Sequence, residues 1–125
     1  MGCVKSKASA FQEEQEQREE AAMGPPSKIM DASEYCGLML AAVHPTLEVH
    51  LATQHLNNLK ATQFMTRSVS NGDNGTMYYI KASTGLSDWP WIFVKVWEPP
   101  SINTLDKPKF KGMKKMDQEY KLVIF

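Results

Sequence analysis

Two runs decide the fold. One is Thr76-Met77-Tyr78-Tyr79-Ile80-Lys81-Ala82; the other, past the breakers Gly85, Asp88 and Pro90, is Trp91-Ile92-Phe93-Val94-Lys95-Val96-Trp97, stopped by Pro99-Pro100. Both are rich in the aromatic and β-branched residues that suit a pleated, half-buried backbone. A third run, residues 60–69, precedes them across the polar loop Ser70-Asn71-Gly72-Asp73-Asn74-Gly75, the signature of a β-hairpin. With a side-chain period of two, Tyr78, Ile80 and Ala82 share one face, as do Ile92, Val94 and Val96; these are the expected core positions. In the first run Thr62, Phe64, Thr66 and Ser68 are expected to point inward. Trp91, Phe93 and Trp97 fall on the opposite face. Lys and Met side chains of neighbouring strands are expected to cover them, with an exposed aromatic binding patch as the alternative.

Working outward toward the N-terminus, residues 31–56 read as a helix. Ser33 is the expected N-cap with Glu34 in the first turn, and Cys36, Met39, Leu40, Val43 and Leu47 recur at helical spacing. Pro45 is expected to kink or interrupt the helix, with Leu51 and Leu56 continuing beyond it to an exit at Asn57-Asn58. Cys36 reads as a core thiol. His44, His50 and His55 do not share one helical face, so they suggest no metal site.

Toward the C-terminus, residues 98–110 read as a proline-containing loop and residues 116–125 as a last strand, with Tyr120, Leu122 and Ile124 on one face. Between them lies the basic run Lys107, Lys109, Lys111, Lys114 and Lys115, read as a solvated face or as a contact to anionic lipid. One helix followed by several strands argues for α+β, an antiparallel sheet wrapped on one helix.

The 125 residues make one modest core, and the formal net charge of zero implies no nucleic-acid partner. The two cysteines, Cys3 and Cys36, form no disulfide framework, which suits a reducing compartment. Residues 1–22 read as a flexible Glu/Gln-rich tail ahead of a domain spanning residues 23–125. The tail opens Met1-Gly2-Cys3-Val4-Lys5-Ser6-Lys7, an acylation pattern in which Gly2 would be myristoylated and Cys3 palmitoylated, with Lys5 and Lys7 as a basic supplement. That heptapeptide resembles the dually acylated start of Src-family kinases, and nothing kinase-like follows it. The expected location is the cytoplasmic face of a plasma or endosomal membrane. There is no Gly-rich phosphate loop, nucleophile elbow or metal-spaced histidine pair, so no cofactor is implied and the function should be binding rather than catalysis.

From Ser33 to Phe125 the chain resembles the stefins, the single-domain intracellular cystatins. The match lies in Thr62-Gln63-Phe64-Met65-Thr66, Gly75-Thr76-Met77-Tyr78-Tyr79-Ile80-Lys81 and Val94-Lys95-Val96-Trp97. It extends to Ala32-Ser33-Glu34 and Val43-His44-Pro45-Thr46-Leu47-Glu48 of the helix, to Gly112 before the expected last strand, and to Phe125. The resemblance implies a cystatin-like fold, one long helix wrapped by four or five antiparallel strands. It also implies reversible, tight inhibition of papain-like cysteine proteases by a three-part wedge that enters the active-site cleft.

On that resemblance Gly24 corresponds to the wedge glycine, Arg67-Ser68-Val69-Ser70-Asn71-Gly72 to the first loop, and Pro99 or Pro100 to the second. Arg67 stands where the family has Gln, and the first loop carries an insertion within residues 71–74. The tail would then hold a protease inhibitor at a membrane. The alternative is a membrane-anchored module of the same fold that does not inhibit, working through the aromatic face or the lysine run. A monomer is expected, with the long first loop as the hinge of any domain-swapped dimer.

Overall fold

The computed structural model describes residues 23–70, 74–100 and 107–125. Along the chain run β1 (Met30–Asp31), α1 (Glu34–His50), β2 (Lys60–Ser68), β3 (Thr76–Ser83), β4 (Trp91–Glu98) and β5 (Lys109–Met116). The strands form one antiparallel sheet in the order β1-β2-β3-β4-β5, so each strand lies beside its sequence neighbour. The result is an α+β arrangement, one helix packed on a five-stranded antiparallel sheet.

Period-two alternation explains the helix-facing core. Ile80 and Ala82 of β3 and Ile92, Val94 and Val96 of β4 are buried against Cys36, Met39, Leu40, Val43 and Leu47 of the helix. Phe64, Tyr78, Phe110 and Met113 pack around the margin. The other sheet face is also apolar: Met65, Met77, Tyr79, Phe93 and Trp97 join Val69 and Leu122 in a second cluster, flanked by Met23, Ile29, Met116, Ile124 and Phe125. The middle strands are therefore covered on both sides. This is why residues 91–97 read as a nearly unbroken apolar run rather than an alternating one.

That second cluster corrects the expected C-terminus. The last strand is Lys109–Met116, not residues 116–125, so four of the five lysines of the run lie within a strand, Lys107 just precedes it, and Gly112 lies inside it rather than before it. Residues 117–125 instead cross the outer sheet face without strand pairing. Leu122 is 1% exposed, and Phe125 packs edge-on against Tyr79 and tilted against Phe93. Two hydrogen bonds fasten this strap: Lys81 Nζ to Glu119 Oε2 at 2.7 Å and Lys95 Nζ to the Phe125 carbonyl at 2.8 Å. Phe93 and Trp97 are 1% and 7% exposed, so they form no open aromatic patch: Phe125 of the strap packs on Phe93, while Lys109 lies over Trp97 and Lys81 over Trp91, the lysine cover expected from neighbouring strands.

The helix is also shorter than expected. It passes through Pro45, ends at His50 and is capped by Leu51. Ala52 adopts a left-handed φ of 51°. Its N–H donates to the Val49 carbonyl, and the Thr53 N–H to the Glu48 carbonyl. These two bonds close a Schellman motif with Ala where glycine is usual. Leu51 and Leu56 still reach the core, from the return loop rather than from helix. Ser33 is the N-cap, but its hydroxyl lies 3.7 Å from Cys36 Sγ and makes no capping bond.

Candidate functional site

Antiparallel register aligns one end of the sheet. Ser68 pairs with Thr76, and Thr76 with Glu98, so the start of the first loop and the start of the second lie side by side. The segment leading into β1 joins them. Met23 bridges Val69, and the Gly24 N–H donates to the Ser68 carbonyl at 2.9 Å. Arg67 Nε donates back to the Gly24 carbonyl at 2.8 Å. Ser27 continues the attachment, its N–H donating to the Thr66 carbonyl and its Oγ accepting from the Thr66 N–H. A Cβ at residue 24 would sit 2.5 Å from Ser68 Oγ, a contact that rotation of the exposed Ser68 side chain can relieve.

The base of the hairpin loop is fixed to β4. Val69 N–H donates to the Gly75 carbonyl at 3.0 Å, and the Trp97 indole donates to the Asn74 carbonyl at 2.7 Å. Asn74 and Gly75 both have positive φ, 55° and 88°. A Cβ on Gly75 would collide with the Glu98 backbone carbonyl. On the helix side of the same end, Tyr35 meets Tyr78 edge-on at 5.8 Å, and Tyr78 stacks on Phe64. A hydrogen bond to Glu98, helped by burial and by the Glu98 charge, pushes the Tyr35 hydroxyl up to about 12. Burial, then the same carboxylate, raises Tyr78.

Three chain segments thus converge, and most of the residues singled out from sequence lie on them: Gly24, Arg67, Ser68, Val69, Ser70, Pro99 and Pro100. Their roles differ. Ser68 and Ser70 are exposed, and Pro99 and Pro100 are half-buried. Val69 is 7% exposed and belongs to the outer cluster, so its side chain anchors the hairpin rather than facing solvent. Arg67 braces residue 24. Asn71 and Gly72 lie outside the described residues, as do Gly2, Cys3, Lys5 and Lys7 of the acylation pattern. Sequence reading placed Asn74 and Gly75 in the hairpin loop without naming them among the contact residues, and it missed Trp97 and Tyr35 as members of this end. The Asn-Gly pair was the available signal for the first two.

Among the described residues no cluster of three His, Cys, Asp or Glu side chains is placed to hold a metal. His44 donates from Nε2 to the Leu56 carbonyl at 2.7 Å, and His50 bonds the Thr46 carbonyl and packs against Phe110. Cys36 is buried and forms no disulfide. Among the described residues no helix is long and apolar enough to cross a membrane. No protein-family model matches the chain, and no curated protein matches it.

Proposed function

We propose that this chain is a stefin-like protein of the cystatin fold that inhibits papain-like cysteine proteases, and that acyl chains on Gly2 and Cys3 hold it at a membrane. One observation carries the reading: residues 23–24, the hairpin base at Val69 and at Asn74 and Gly75, and the end of β4 at Trp97 and Glu98 meet at one end of the sheet, tied by main-chain hydrogen bonds and by the Trp97 indole bond to the Asn74 carbonyl. A narrow cleft accepts a thin edge of backbone, and segments already fixed to one another lose little freedom on entering it. The inhibitor performs no chemistry and blocks access to the catalytic cysteine.

Arg67 takes a bracing role in this reading. Its bond to Gly24 holds the N-terminal segment beside the hairpin, so its difference from the family's Gln is compatible with a working wedge. The test is titration of papain by the full chain with a fluorogenic substrate. Stoichiometric, reversible inhibition is expected; no inhibition at micromolar folded protein removes the reading. The anchor is tested separately: Gly2→Ala should move the protein from the membrane to the soluble fraction of expressing cells, and unchanged membrane association removes the acyl account.

A further inference from the structure

We propose that the β5 edge is a lipid-docking surface that lays the domain side-on against an anionic phospholipid leaflet. The inference rests on the membrane half of the reading above and adds which face meets the bilayer.

The charge distribution is the first argument. Residues 107–116 hold five lysines and no carboxylate, in a chain whose lysines and arginines equal its acids, 14 to 14. β5 is the last strand in the sheet order, so Lys109, Lys111, Lys114 and Lys115 lie along an edge, with Lys107 just before it in sequence. Lys107, Lys109, Lys111, Lys114 and Lys115 are all exposed. Among the described residues none of them is paired with a carboxylate; the ion pairs there are His44–Glu48 and Lys81–Glu119. The second of these draws Glu119, one of the two acids that follow β5, onto the buried Lys81 and away from the edge.

The second argument is the spread of the ammonium groups. A register shift between Lys95 and Val96 leaves Lys111 as the extra residue, because Gly112 pairs with Lys95 and Phe110 with Val96. Lys109 and Lys114 lie over the rings of Trp97 and Phe125 on the strap side, at 5.4 and 5.6 Å. Lys115, paired with the helix-facing Ile92, lies over Trp89 at 5.2 Å. The cations therefore fan around both sides of one edge. Protecting an edge strand from pairing needs charge but not charge of a single sign. A one-sign strip makes a field that attracts a sheet of anions. The aromatic rings beneath lie under lysine ammonium groups and offer no open stacking platform, which disfavours single-stranded nucleic acid as the occupant.

Orientation follows from topology. Gly24 is held by β2, three strands away from β5, or about 14 Å at the usual strand spacing. That exceeds the Debye length of about 8 Å in physiological salt. Lys109 pairs with Trp97, so β5 begins at the end where the three segments converge and runs away from it. Docked by this edge, the domain would hold that end directed along the membrane surface with residue 24 clear of it.

The test uses the full chain carrying Gly2→Ala, so that no acyl chain contributes, in co-sedimentation with vesicles at physiological salt. Vesicles of about one-third phosphatidylserine should retain the protein, and phosphatidylcholine vesicles should not. Replacing Lys109, Lys111 and Lys114 with Gln should lower the partition coefficient by at least about tenfold. Lys28→Gln with Lys60→Gln, near the opposite edge, should change it less than about twofold. Lys111→Gln alone, at the bulge, guards against misfolding of the triple variant and should give a smaller loss in the same direction. Equal retention by both vesicle types, no retention by either, or a triple variant that binds as well as its parent overturns the proposal. Papain titration of the same triple variant separates the two readings: intact inhibition with lost vesicle binding is expected, and a chain that binds vesicles but never inhibits leaves this inference standing while the protease reading falls.

Discussion

Gly75→Ala is the sharpest perturbation of the converging end. The backbone there has φ of +88°, and the added methyl would press on the Glu98 carbonyl oxygen and lie 3.0 Å from Trp97 Nε1. Holding a non-glycine residue in the left-handed region costs about 1–2 kcal/mol. Moving Gly75 off Glu98 also disturbs the indole bond to the Asn74 carbonyl, adding about 0.5–1.5 kcal/mol. Together these predict a loss of about 2–3 kcal/mol in urea unfolding, read as a lower midpoint at unchanged slope. Gly24→Ala is the contrast: its new methyl meets only Ser68 Oγ, on an exposed side chain that can rotate, so the cost should stay under about 1 kcal/mol. If the hairpin base positions the wedge, Gly75→Ala should also weaken papain inhibition by at least about tenfold, assayed where the variant is still folded. A stability loss under about 1 kcal/mol would refute the packing argument. Lost stability with undiminished inhibition would refute the assignment of this end.

Other perturbations probe the strap, the alkaline limb and the helix terminus. Leu122→Ala should cost about 2–4 kcal/mol by urea unfolding, because Leu122 is the strap's buried residue, 1% exposed in the outer cluster; a loss under about 1 kcal/mol would mean that residues 117–125 are dispensable to that cluster. Tyr35 carries its raised value only in the folded state, so its contribution to stability is complete below about pH 10 and disappears as pH rises from 10 through about 12. Tyr35→Phe should therefore flatten the fall in unfolding midpoint across that window, with the residual slope belonging in part to Tyr78; an unchanged slope would remove the Tyr35–Glu98 coupling. Ala52→Gly should raise stability by about 0.5–1 kcal/mol, the left-handed cost less the extra freedom of glycine in the unfolded chain, and a thermal melt with no gain would count against the helix-terminating motif.

The hairpin and the third strand were legible because alternation and turn chemistry agreed: the core positions of residues 78–82 and 92–96 follow from period two alone. The helix terminus was not. Its C′ position is held by Ala52 rather than by the glycine or asparagine that advertises such an end, so the pattern appeared to run on to Asn57. β5 was hidden by its lysines, since an edge strand protected by charge has the composition of a loop. Conversely, Tyr120, Leu122 and Ile124 alternate like a strand, yet only Leu122 is fully buried and the backbone pairs with nothing in the sheet. Of the site, the segments were legible but their joinery was not. The Arg67–Gly24 bond spans 43 residues of sequence, and no local pattern encodes it. Val69 was assignable: it shares parity with Met65, which faces the outer cluster, so its burial follows from the same alternation.

Once the strap is in place, the surfaces left for function narrow by geometry. The helix covers one face of the middle strands and residues 117–125 cover the other, so neither face can receive a partner without unpacking a core cluster. The helix's own outer side carries scattered exposed apolar groups, Leu38 and Val49 foremost, but no second feature that selects an occupant. What remains are the ends and the edges. One end gathers three backbone segments, the arrangement proposed for a cleft, and one edge gathers lysines of a single sign, suited to a charged plane. The Gly24 segment and the β5 edge are separated by the width of three strands. The proposed pair of roles, in a protease cleft and on a membrane, would need such a separation, because a single shared surface would force the two partners to compete.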